Sequence, residues 1–169
     1  MDPQEIIDAH DRLERRLRGA FDDRKLLSIH EAGHAVIAEH FKMDVVLVQA
    51  IAPNKSFTQI RDRRPTKETL LEDVTMALGG YYAAFKETED DAMARVHCGI
   101  DNQFLFELFT AFSVSPEEQQ ELMSRGQALS KELVERYWLA VKKIADEVFE
   151  YVQISGARAR EILSQMPSS

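Results

Sequence analysis

Apolar residues recur every three to four positions along most of the chain, which is the spacing of one face of an α-helix. Glycine and proline are sparse, at seven and five among 169 residues, so long helices are favoured over many short strands. The pattern predicts helices over residues 4–20, 24–41, 66–85, about 101–112, 116 to about 152 with Gly126 as a candidate break, and a short last helix after Gly156.

One stretch of the chain has the character of β-strands instead. Residues 45–48 form a β-branched run, and residues 56–60 form a second short strand candidate after the turn signal Pro53-Asn54-Lys55. The sequence therefore predicts an α+β fold that is mostly helical, with one small hairpin or sheet after the second helix. Residues 1–23 are interpreted as an N-terminal helical extension and residues 24–166 as one domain.

The composition narrows the possible partners. The net charge is -8, which disfavours nucleic acid and anionic membrane surfaces, because both would repel an acidic protein. Cys98 is the single cysteine, so neither an intrachain disulfide nor a multi-cysteine zinc site can form. A polar N-terminus and the lack of a long apolar run predict a cytoplasmic protein with no membrane segment.

The sharpest motif is His30-Glu31-Ala32-Gly33-His34, which matches H-E-x-x-H. Residues four apart lie on one helix face, so both imidazoles can bind the same zinc ion. Glu31 is rotated away from His30 and can take a proton from a water whose pKa zinc lowers to about 7. The alternative is a polar helix face that happens to carry two histidines, and the mid-helix Gly33 fits either a close approach of substrate or tight helix packing.

A hydrolytic zinc site needs a third protein ligand and an open fourth position. Spacing alone leaves several candidates for that ligand, namely His10, His40, His97 and a number of carboxylates. His40 lies six residues beyond His34 and is not on the same helical face.

The motif and its surroundings resemble the zinc peptidase domain of the FtsH family of ATP-dependent metalloproteases. Downstream, residues 77–84 resemble that family's A-L-G-G-R-A-A-E helix, and residues 99–102 fall where the family has a short loop ending in an aspartate. The closing segment from Ile154 to Leu163 is similar as well. The resemblance thus covers about residues 24–163.

The resemblance implies one zinc ion per chain, with His30, His34 and Asp101 as ligands and Glu31 as the general base. From the residues alone, a helix N-cap is the favoured interpretation of Asp101. The resemblance further implies that an edge of the strands at 44–52 or 56–62 receives the substrate backbone.

The chain also departs from the family. Tyr81 and Ala84 replace an arginine and a glutamate, and the phosphate-binding G-x-x-x-x-G-K-[ST] motif is absent. The expected function is hydrolysis of peptide bonds in unfolded or flexible polypeptide, with a separate unfoldase or a dedicated protein as partner and a homo-oligomer as one arrangement. The alternative is a catalytically inactive peptidase-like module that serves in protein binding or oligomerisation.

Overall fold

The computed structural model describes residues 3–53, 55–61 and 63–167, and among these the side chains from residue 23 onward. These residues are mostly helical with one small antiparallel sheet, which confirms the predicted α+β class. The elements are α1 (Pro3–His40), β1 (Val45–Gln49), β2 (Phe57–Ile60), a 3₁₀ turn (Lys67–Thr69), α2 (Leu70–Ala77), α3 (Gly79–Thr88), α4 (Asp91–Arg95), α5 (Gly99–Ala111), α6 (Pro116–Arg136), α7 (Trp138–Tyr151), β3 (Gln153–Ser155) and α8 (Gly156–Gln165).

The C-terminal half of α1 forms the centre of the domain. Every residue from Leu26 to Ala38 is buried, because α3 packs against one side of α1 and α7 against another. A helix that is buried on all sides is mostly apolar, and the buried side chains of α1 include Ile29, Val36 and Ile37. His30, Glu31 and His34 are buried on the same segment. The polar residues of the motif therefore lie in the interior of the protein.

The sheet has the strand order β2-β1-β3, and both pairs are antiparallel. The predicted hairpin is confirmed, with Val48 of β1 opposite Thr58 of β2. The third strand, β3, was not predicted from the sequence; its Ile154 pairs with Val48 of β1. In the part of the chain that the structure describes, β2 is thus an edge strand that lies beside α1.

Several helix boundaries were predicted wrongly. One continuous helix runs from Pro3 to His40 where two were expected. Asp22 and Asp23, either of which could have capped a second helix, lie inside it, since aspartate costs only a fraction of a kcal/mol there. The helix expected over 66–85 is interrupted at Leu78, and the long C-terminal helix breaks at Tyr137 rather than at Gly126. The division at residue 23 stays a prediction.

Two apolar clusters hold the helices around α1. The larger joins α1 to β1, α7 and α8, and the smaller joins α2 to α5 through residues such as Val74, Leu105 and Leu108. The smaller cluster fixes the position of α5, whose first turn carries Asp101. No helix among the described residues is both long and apolar enough to cross a membrane.

Candidate metal centre

His30 and His34 lie one turn apart on the buried half of α1 and share one face. Their Nε2 atoms are 3.1 Å apart, and the residues are only 2% and 5% exposed. Burying two imidazoles side by side is costly unless their nitrogens have partners. On its other side, His34 is held by the Met76 carbonyl oxygen, 2.8 Å from Nδ1.

Asp101 joins this pair from the first turn of α5. Its Oδ2 lies 3.0 Å from Nε2 of His30, and its Oδ1 lies 3.2 Å from Nε2 of His34. The N-cap of α5 is Cys98, so the alternative interpretation of Asp101 as a helix cap is wrong. Donor atoms around a tetrahedral zinc ion with bonds of 2.0–2.1 Å stand about 3.3 Å apart, and the observed spacing is close to that.

The three side chains contact one another at ion-pair distances, yet one of their polar atoms lacks a hydrogen-bond partner. Asp101 Oδ2 is buried without an aligned hydrogen bond among the described residues, despite its closeness to His30. A methyl group at Gly80 would come within 2.5 Å of Nε2 of both histidines. Gly80 therefore leaves open the space on which the three side chains converge, and the buried group His30, His34 and Asp101 could hold a metal ion.

The charges of the cluster are strongly coupled. Burial lowers the pKa of His30. Burial also opposes protonation of His34, but the Asp101 and Glu31 carboxylates and the Met76 carbonyl outweigh it and raise the pKa to about 9. Against its own burial, the two histidines hold the pKa of Asp101 well below its usual range. A metal ion entering the cluster would displace the proton on His34, as metal binding to histidine sites generally does.

Glu31 lies beside the cluster and is 5% exposed. The hydroxyl of Thr58 on β2 lies 3.0 Å from Glu31 Oε2 and 2.9 Å from the Glu31 carbonyl oxygen, and it can donate to either. Burial raises the pKa of Glu31 to about 7, although His34 and the Thr58 hydrogen bond pull it down. Such a carboxyl group can both accept and return a proton near neutral pH.

A cavity of about 290 Å³ opens onto these residues. Its wall is mostly apolar, and on the β2 side it includes Phe57, which is 44% exposed. Val96 and Ile100 also line the cavity and are exposed. The arrangement resembles ligand pockets generally, in which a few polar groups converge within an apolar wall.

Two of the other histidines proposed as third ligands, His40 and His97, are not in the cluster. His40 lies near the end of α1 with Nδ1 3.0 Å from the Tyr137 hydroxyl, and the side chain of His10 falls outside the described residues. His97 lines the cavity, but its Nε2 lies 3.1 Å from Oδ1 of Asp23. Of the named candidates that the structure describes, Asp101 is the one that reaches both motif histidines.

Two residues of the site, Thr58 and Gly80, were not identified as site residues from the sequence. Thr58 contacts Glu31 across 27 residues of chain, and a lone threonine in a strand gives no signal of that contact. Gly80 was noticed only as part of a resemblance. Comparison of the sequence with models of known protein families and with curated proteins finds no match to either.

Proposed function

We propose that this chain is a zinc-dependent metalloendopeptidase that hydrolyses peptide bonds in unfolded or flexible polypeptide. The observation that carries the proposal is the convergence of His30, His34 and Asp101 on one point beside the buried Glu31. Two imidazoles and one carboxylate are a donor set found at catalytic zinc sites, which use three protein ligands and keep one position free.

When bound, zinc would supply Lewis-acid chemistry that polarises a peptide carbonyl and makes water more acidic. His30, His34 and Asp101 would hold it, with Met76 orienting His34 through its carbonyl oxygen. Glu31 would take a proton from the attacking water and deliver it to the leaving amine. Thr58 would keep the Glu31 carboxylate turned in one direction through its hydroxyl.

The surroundings of the site favour a polypeptide substrate. β2 is an edge strand of the described sheet and carries Thr58, so a peptide that paired with its free edge would pass close to Glu31. The apolar wall of the cavity suits the side chains of an extended chain. Because the metal centre is buried, only a segment without stable structure of its own would reach it.

The direct test is the substitution Glu31→Gln, which keeps the size of the side chain and removes its ability to accept a proton. We expect zinc content close to one ion per chain in both proteins and cleavage of unfolded, fluorescently labelled casein in the unaltered protein alone. A loss of roughly a hundredfold or more is typical for a proton-transfer residue.

His40→Gln is the matched control, because His40 is a histidine on the same helix that contacts Tyr137 and not the cluster. It should cleave casein as the unaltered protein does. Equal cleavage by the Glu31→Gln protein would refute Glu31 as the base. Zinc binding with no turnover in the unaltered protein would favour the alternative, an inactive module whose metal serves structure.

A further inference from the structure

One ring nitrogen at the metal centre lacks a hydrogen-bond partner. His34 has its Nδ1 against the Met76 carbonyl oxygen, whereas Nδ1 of His30 is buried with no hydrogen bond among the described residues. A histidine that binds metal through one nitrogen almost always donates its other N–H to a carboxylate, a carbonyl or water. His30 therefore lacks the contact that would fix its ring, although the residue is only 2% exposed.

The ring of His97 lies near that of His30. It comes from the turn between α4 and α5, and its centroid is 6.2 Å from that of His30, with the ring planes at 77°. The side chain of His97 is 5% exposed. Both rings line the same cavity.

Asp23 of α1 lies beside His97. Oδ1 of Asp23 lies 3.1 Å from Nε2 of His97, although the angle is too bent for a full hydrogen bond. Asp23 precedes His30 by seven residues, which is two turns of helix, so the two side chains emerge on nearly the same face of α1. A proton on Nε2, the nitrogen beside Asp23, would leave the lone pair of a neutral His97 on Nδ1.

We propose that His97, held by Asp23, is a positioning residue for the metal ligand His30. His30 Nδ1–H donates to one water molecule, and that water donates to Nδ1 of His97. The 6.2 Å between the ring centroids is too far for a direct N–H···N bond, and one bridging water spans such a gap. The contact would fix the ring so that Nε2 of His30 faces Asp101 and His34.

This inference rests on the proposed zinc site, and its test measures zinc affinity rather than cleavage. His97→Leu should weaken zinc binding by roughly ten- to a hundredfold, the usual effect of removing such a partner, measured by competition with a chromophoric chelator at constant pH. His97→Gln should recover part of the loss, because its amide can hydrogen-bond the same water. Asp23→Asn should lower zinc affinity by a smaller factor than His97→Leu. The double variant should bind zinc almost as well as His97→Leu alone, because the two side chains act as one unit.

A second readout reports on His30 itself. In zinc-loaded protein with ¹⁵N-labelled histidine, the Nδ1–H of His30 should give a slowly exchanging signal that disappears in His97→Leu. His40→Gln, remote from the cluster, should keep both the signal and the affinity. Circular dichroism would show which variants are folded. If His97→Leu does not fold, the test is made with His97→Gln and Asp23→Asn.

The outcomes separate this inference from the proposed function. Unchanged zinc affinity and an unchanged His30 signal in folded His97 and Asp23 variants would overturn the role of His97 and leave the zinc site standing. Failure of the unaltered protein to bind zinc would overturn both.

Discussion

Gly80 matters at the metal centre through the side chain that it lacks. Its Cα faces the Nε2 atoms of His30 and His34, and any larger residue would occupy the space between them. We expect Gly80→Ala to lower zinc affinity by at least roughly tenfold, because ligand atoms must stay within about 0.2 Å of their required positions. Chelator competition measures the effect.

Gly99→Ala is the control for this substitution. Gly99 begins α5 two residues before Asp101, and an added methyl group there would meet nothing within 4 Å. Zinc affinity in that variant should match the unaltered protein. If Gly80→Ala also bound zinc normally, the ion would not lie where the two imidazoles converge.

Thr58 is predicted to affect turnover without affecting metal binding. Thr58→Val keeps the shape of the side chain on β2 but removes the hydroxyl that contacts Glu31. Hydrogen bonds to charged groups contribute about 1.5–3 kcal/mol, so we expect kcat on labelled casein to fall roughly tenfold or more with zinc content unchanged. Thr58→Ser, which keeps the hydroxyl, should retain most of the kcat of the unaltered protein. Full activity in the valine variant would remove Thr58 from the mechanism.

The sequence alone was enough to find His30, Glu31 and His34, because helical spacing makes H-E-x-x-H a local signal. Asp101 lies 67 residues beyond His34, a separation that no local pattern encodes, and it was named through a resemblance. Thr58 and Gly80 act through contacts between elements, so their roles became visible only once α1, α3 and β2 were packed together.

Two glycines let α1 and α3 cross closely enough to bring Gly80 against the histidines. A Cβ at Gly33 would lie 2.4 Å from the Gly79 carbonyl oxygen, and one at Gly79 would lie 2.8 Å from the Gly33 carbonyl oxygen. Of the two interpretations of Gly33 from the sequence, the structure supports tight helix packing. The crossing is a backbone contact that no change of rotamer can relieve.

We therefore expect Gly33→Ala to lower the free energy of unfolding by about 2 kcal/mol, within the usual range for overpacking, as measured by urea denaturation. Gly19→Ala is the matched control. It lies on the same helix with nothing within 4 Å of the added methyl group, and it should leave stability unchanged or raise it by up to about 1 kcal/mol. Equal stability of the Gly33 variant would contradict the close crossing.

The elements that were predicted correctly have strong local signals. The β1–β2 hairpin has a β-branched strand and a proline-containing turn. Helix α6 begins at Pro116, after the cap residue Ser115, whose hydroxyl accepts from Glu118 N–H. By contrast, β3 has three residues, too few for a periodic pattern, and pairs with a strand about a hundred residues earlier. The break at Tyr137 has neither glycine nor proline beside it, so packing rather than local propensity sets it, whereas the break at Leu78 directly precedes Gly79 and Gly80.

In the folded domain, the polar site lies at the junction of its two main apolar clusters. α1 brings His30, Glu31 and His34 from the larger cluster, while α5 brings Asp101 from the smaller one. Binding a metal ion would therefore link the two clusters. It would also give the buried histidines and carboxylates of the interior a partner that offsets the cost of their burial.

The most direct test of the proposed zinc site is a crystal structure of the zinc-loaded protein, with anomalous data collected on both sides of the zinc absorption edge. We predict one zinc ion per chain, bound by Nε2 of His30, Nε2 of His34 and the carboxylate of Asp101, with the fourth position open to the cavity and no protein side chain in it. A fourth protein ligand closing the site, or zinc bound away from these three residues, would contradict the central claim.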